Sequence, residues 1–177
     1  GYLGRYRLLT ADAVVLTMAE EPMASAEKVD EMLSAVREVR PGVTVVPTVL
    51  RPRPVEDVAG KRVAFFSTAS GVMESAFREF LETRWGCRVE LFSADLADRA
   101  ALRARFAAPA MARVDTVLTE IKAAAIDVVA EEAEARGLPV VPVDNLPVEV
   151  EPAAPGCLEA LVKELAGMAV ERFESRA

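Results

Sequence analysis

Ser67, Thr68 and Ser70, followed by Gly71, close the apolar run Val63-Ala64-Phe65-Phe66, and a helical pattern begins directly after them. A buried strand that gives way to hydroxyls and a glycine at a helix start sets backbone N–H groups, with the helix dipole behind them, against an anion. Other apolar runs end in the same way. Thr119, Glu120 and Lys122 follow one, Asp144 and Asn145 another, Ser93 and Asp95 a third, and Glu20 and Glu21 stand before Pro22. Lys122 opens a helical stretch, where the dipole disfavours a cation; it can meet a phosphate there, or pair with Glu120. Thr119 and Glu120 suit a metal or hydroxyl contact, and Glu20 and Glu21 are hard carboxylates of the kind that hold Mg²⁺ through water. Arg51 and Arg53 alternate along an extended, proline-rich stretch. They read as solubilising charges on a linker or as two guanidiniums reaching for phosphate. Any one of these residues is also what a cap or turn requires. As a set at the strand ends, they point to a small phosphorylated or carboxylated ligand.

The composition removes several chemistries. The chain has no histidine, so no imidazole base and no imidazole metal ligand. Cys87 and Cys157 stand far apart, in no metal-binding spacing, and read as reduced thiols. A net charge of −7 argues against nucleic acid, which needs a basic footprint. No apolar run has the length of a membrane span and no signal peptide is visible, so a cytoplasmic protein is expected. Neither G-x-x-x-x-G-K-[ST] nor G-x-G-x-x-G after a strand occurs. If ATP is involved, its main cradle is expected outside this chain. The first methionine is Met18, and the chain reads as part of something longer.

The elements that must position these residues follow from periodicity and punctuation. A strand is expected over 11–18 and a helix over 25–40, with Ser25 as its N-cap, Glu27 in its first turn and Pro41-Gly42 as its stop. Another strand starts at 43–46. The prolines at 47, 52 and 54 argue against a central strand beyond it, so 51–60 reads as a linker and a domain boundary. Strands at 61–66, 88–92, 114–118 and 139–143 then alternate with helices at 71–85, 98–106 and 123–136, the first and last closed by Gly86 and Gly137. Such alternation predicts an α/β fold, a parallel sheet with covering helices in a Rossmann-like, three-layer arrangement. A last helix over 156–176 carries Leu158, Leu161, Val162, Leu165, Met168, Ala169 and Phe173, a stripe suited to core packing or to a homodimer surface.

Beyond these local readings, several phrases of the chain are similar to one known family. Gly1-Tyr2-Leu3-Gly4-Arg5-Tyr6-Arg7, Ala11 through Pro22, Arg51-Pro52-Arg53-Pro54 with Gly60-Lys61-Arg62-Val63, Thr119 through Val129, and Val143-Asp144-Asn145-Leu146-Pro147 resemble the cyclic 2,3-diphosphoglycerate synthetase family. The resemblance implies an ATP- and Mg²⁺-dependent enzyme that closes 2,3-diphosphoglycerate into a cyclic anhydride, with related kinase activity on 2-phosphoglycerate. It implies that residues 1–50 end an upstream P-loop nucleotide-binding domain and that 61–150 form the smaller C-terminal α/β domain. The P-loop being absent here, this chain alone is expected to be inactive. Arg51, Arg53, Lys122 and the 67–71 loop are then what it offers an anionic substrate. A non-catalytic module that binds a phosphorylated metabolite, and a dimerisation domain, stay open as alternatives.

Overall fold

A computed structural model describes residues 2–121, 125–150, 153–154 and 156–175, with the side chains of 2 and 3 set aside. The fold is α/β, with a mostly parallel, mixed sheet of six strands and helices that cover it. In order along the chain come α1 (Tyr2–Thr10), β1 (Ala13–Leu16), α2 (Ala26–Val39), β2 (Thr44–Pro54), β3 (Arg62–Phe66), α3 (Glu74–Trp85), β4 (Arg88–Ser93), α4 (Arg99–Phe106), β5 (Thr116–Glu120), α5 (Ile126–Glu134), β6 (Val140–Glu149) and α6 (Cys157–Glu174). The strand order is β1-β2-β6-β5-β3-β4. The chain divides into two compact units, one of residues 1–50 and 147–177, the other of residues 51–146.

The second unit carries the βα alternation. β4, β3, β5 and β6 are parallel neighbours, in the register Val63↔Thr116 and Val117↔Val140. Successive side chains of a strand point to opposite faces, and the core divides accordingly. Ala64, Phe66 and Val117 pack on one face with Leu102 and Phe106 of α4 and Val128 and Val129 of α5. Val63, Phe65 and Leu118 pack on the other with Phe77 and Leu81 of α3. Phe66 stacks on Phe106 with ring centroids 4.6 Å apart, and Phe65 meets Phe92 edge-on at 5.7 Å. Cys87 is buried in the second cluster, and loss of solvent pushes its thiol up to about 11. Gly86 ends α3 at φ +66°. A Cβ there would make ordinary contact with Ala59 at 3.8 Å, so the left-handed backbone and not crowding calls for glycine.

In the first unit, β1 pairs in parallel with the start of β2, from Ala13↔Thr44 to Leu16↔Pro47. Ser25 caps α2, its Oγ accepting from Lys28 N–H at 3.2 Å. Val29 and Leu33 of α2 pack with Ala19, Leu16 and Val45. α6 has no buried residue. Leu158, Leu161, Leu165 and Met168 are half-buried, whereas Val162 and Phe173 are exposed. Arg172 of α6 holds both oxygens of Asp12, at 2.8 and 3.0 Å. Glu149 Oε1 accepts from Leu158 N–H at 3.0 Å at the start of the same helix.

One expectation differs from this fold. The stretch read as a proline-rich linker is β-strand as far as Pro54, and it lies inside the strand order. The prolines are accommodated because pairing with β1 stops at Pro47, and because a proline keeps its carbonyl. Pro47 O accepts from Val150 N–H and Pro142 O from Val55 N–H, at 3.1 and 3.0 Å. From Pro47 to Val55 the partner retreats from Val150 to Pro142, so β2 and β6 are antiparallel in a sheet whose other pairs are parallel. The helix α1 had no counterpart in the sequence reading.

Candidate functional site

The register of the second unit decides which strand-end residues meet. Phe66 of β3 lies beside Thr119 of β5, so the next residues, Ser67 and Glu120, emerge side by side although 53 positions apart. On the other flank Glu120 lies beside Val143 of β6, and Asp144 follows. Arg53 of β2 donates from one Nη to Asp144 Oδ2 at 2.8 Å, and both side chains are about half exposed. Between them is a cleft of about 410 Å³, lined by Arg53, Thr68, Glu120, Ile121, Val143, Asp144 and Asn145. It lies at the carboxyl ends of the parallel strands, where open α/β sheets bind ligands.

Glu120 organises the floor. Its side chain is buried and accepts three hydrogen bonds. Ser67 Oγ–H donates to Oε1 at 2.7 Å, while Thr68 donates to Oε2 from its N–H at 3.1 Å and from its hydroxyl at 2.6 Å. Ser67 Oγ also accepts from Ala69 N–H at 2.9 Å. The 67–69 turn is thus an anion receptor, as the run of hydroxyls suggests, but the anion it holds is the chain's own carboxylate. Such charge-assisted bonds are roughly twice as strong as neutral ones, and they fix the turn. In this structure those donors are engaged by Glu120.

Thr119 faces away from Glu120 by strand alternation. Its hydroxyl is buried and has no hydrogen-bond partner among the described residues. Ser70 and Gly71 are exposed and begin a short 3₁₀ turn, 71–73, that leads into α3; Ser70 caps through its carbonyl, to Met73 N–H at 2.9 Å, and not through its hydroxyl. Arg51 lies in β2, half-buried, and is not among the residues lining the cleft. Lys122 lies outside the described residues. Ser93 and Asp95, at the end of β4, form their own turn. Ser93 Oγ–H donates to Asp95 Oδ2 at 3.0 Å and Arg105 Nε–H donates to the same oxygen at 2.7 Å. The bond from Arg105 is the main reason that the Asp95 carboxyl is held below the usual aspartate range.

Glu20 and Glu21 belong to the first unit, where they line a separate depression of about 400 Å³ with Asp30, Ala24 and Val29. Among the described residues no group of three or more acidic or cysteine side chains is arranged to hold a metal ion. Glu20 and Glu21 are two adjacent carboxylates on that depression, a set that Mg²⁺ would complete with water or phosphate oxygens. No helix among the described residues is long and apolar enough to cross a membrane. Sequence reasoning missed Ile121 and Val143 as lining residues. The signals for them were adjacency, since each directly precedes or follows a polar strand-end residue, and membership in phrases that resemble the family.

Comparison with known proteins gives two family-model matches. Residues 54–146 match the cyclic 2,3-diphosphoglycerate synthetase C-terminal domain, and residues 1–49 match the P-loop domain of the same synthetase. Curated relatives carry the same name. The cyclic 2,3-diphosphoglycerate synthetase of Rubrobacter xylanophilus is 49% identical over 148 residues, 84% of this chain and 33% of that protein. That of Methanothermus fervidus is 38% identical over 174 residues, 98% of this chain and 37% of that protein. That of Methanosphaera stadtmanae is 37% identical, over 84% of this chain and 32% of its own length. The chain spans about a third of the length of the curated relatives it matches.

Proposed function

Since the chain belongs to the cyclic 2,3-diphosphoglycerate synthetase family, we propose that it is the C-terminal portion of an ATP-dependent enzyme acting on phosphoglycerates. In this reading the enzyme cyclises 2,3-diphosphoglycerate or phosphorylates 2-phosphoglycerate. The second unit contributes a surface that faces the phosphorylated substrate, and ATP with its Mg²⁺ is handled by the P-loop domain, of which residues 1–49 resemble one part. The observation that carries the reading is the cleft beyond β5 and β6, where the guanidinium of Arg53 stands half exposed beside polar strand ends. Phosphoryl transfer relies on positioning and charge neutralisation, so a cation at a strand-end cleft is the contribution expected of a substrate-facing domain. Lys122, next in sequence to the lining residue Ile121, would add a second cation.

Thermal unfolding of the 177-residue chain with 2-phosphoglycerate, 2,3-diphosphoglycerate and ATP-Mg tests this. A ligand at a hundredfold excess over Kd stabilises by about 2.7 kcal/mol. The expected result is stabilisation by a glycerate phosphate that is lost in Arg53→Gln and reduced in Lys122→Ala. No shift with any phosphorylated compound at such excess would leave a packing role alone for the second unit.

A further inference from the structure

Asp144 is out of place in a cleft for phosphate, since a carboxylate repels an anion beside it. Its position in the sheet supplies a reason. Val55 N–H donates to Pro142 O at 3.0 Å, and two residues on, in opposite directions along the antiparallel pair, Arg53 of β2 stands opposite Asp144 of β6. Opposite residues have Cβ atoms about 5 Å apart, so a side chain as long as arginine meets a short aspartate only by folding across the strand pair. Asp144 Oδ2 accepts from the guanidinium in that pose at 2.8 Å, the one hydrogen bond of the Arg53 side chain among the described residues. A guanidinium has five donors, so the rest stay free beside the cleft that both residues line. The backbone of Arg53 is restrained as well. It lies between Pro52 and Pro54, both buried, whose rings fix their own φ, and a residue before proline is confined to extended conformations.

We infer that Asp144 is a positioning residue: it holds the Arg53 guanidinium at the cleft, so that the arm is already ordered when a phosphoryl group arrives. This rests on the reading of the cleft as a phosphorylated-substrate site. An arginine released from Asp144 would sweep solvent and lose that rotamer freedom on binding. Ordering one such side chain costs a factor of about two to ten in affinity, and Asp144 removes part of that cost. An exposed pair adds little to stability, so its effect is expected in binding and not in folding. Repulsion between Asp144 and the phosphate opposes the gain, and the affinity of the unaltered chain is the balance of the two.

Two neutral replacements separate positioning from charge. Asp144→Asn keeps an oxygen acceptor for Arg53, and Asp144→Leu, of similar size, has none; both delete the carboxylate and leave every neighbouring charge as it is. Calorimetric titration of the 177-residue chain with 2-phosphoglycerate and with 2,3-diphosphoglycerate is expected to show binding about two- to tenfold weaker in Asp144→Leu than in Asp144→Asn. Nitrogen-15 relaxation of the Arg53 Nε–H group without ligand reads the arm directly, its signal assigned by its loss in Arg53→Lys. That group is expected to be ordered in the unaltered chain and in Asp144→Asn, and to gain picosecond-to-nanosecond motion in Asp144→Leu. Equal affinities of the two variants overturn the inference. So does Arg53 motion that is the same in all three chains, which would make any affinity difference a direct contact of residue 144 with the ligand. Absence of any binding that Arg53→Gln abolishes overturns the reading of the cleft as well. Asp144→Ala replaces Asp144→Leu if leucine at that strand position does not fold, and a mobile Arg53 in the unaltered chain overturns the inference with no variant at 144.

Discussion

Individual side chains here are governed by which donors reach which carboxylate. The hydroxyls at 67 and 68 and the acid at 120 were visible in the sequence as separate strand-end signals. Their union was not, because it depends on the β3–β5 register across 53 positions. The same is true of Arg53, which the sequence left between a linker charge and a phosphate ligand, and which stands beside Asp144 across a strand pair. Asp95 makes a prediction at this scale. Its carboxyl is held below the ordinary aspartate value, first by Arg105, so its contribution to stability is fully present above about pH 4 and is lost as pH falls through the lowered folded value. Asp95→Asn should therefore lower the urea midpoint at pH 7 by an amount equivalent to about 0.2–1 kcal/mol. The difference from the unaltered chain should shrink as pH falls below the ordinary aspartate value and through the lowered folded one. A difference that persists undiminished in acid would show that packing, and not the ion pair, is what Asp95 provides.

Helices and strands of the second unit were largely legible, because glycine and cap residues bracket them. Gly86 closes α3 in the left-handed region, and Asp98 caps α4 by accepting from the N–H groups of Ala100 and Ala101. β2 was not legible beyond residue 46, since proline content reports what a strand cannot donate and says nothing about a neighbour that needs only its carbonyls. α1 was missed for a different reason: its apolar residues Tyr6 and Leu9 are exposed, so no buried face is written into its pattern. In the first unit Ser25→Ala should destabilise by about 1 kcal/mol, the usual cost of removing an N-cap. Equilibrium urea unfolding followed by far-ultraviolet circular dichroism measures it. Ser25→Asp, which retains an acceptor, should restore most of the loss; if it does not, the hydroxyl contributes something other than capping.

For the whole molecule, the alternation of elements gave the α/β architecture. The partition of the chain was less visible. Residues 147–177 group with residues 1–50, and no local signal announces that return, because it is a property of long-range pairing. Span matters too: at about a third of the length of its relatives, the chain has, among the described residues, two core clusters in the second unit and a smaller one in the first. The buried cysteine gives the second unit an internal clock. At neutral pH Cys87 is screened from solvent and held as the unreactive thiol, whereas Cys157, at the first turn of α6, is only partly covered. A maleimide added under native conditions should modify Cys157 promptly and Cys87 only when the second unit opens. Peptide mass spectrometry over time would then count those openings without any probe being engineered in, and a bound ligand of the cleft should slow the count at Cys87 while leaving Cys157 unchanged.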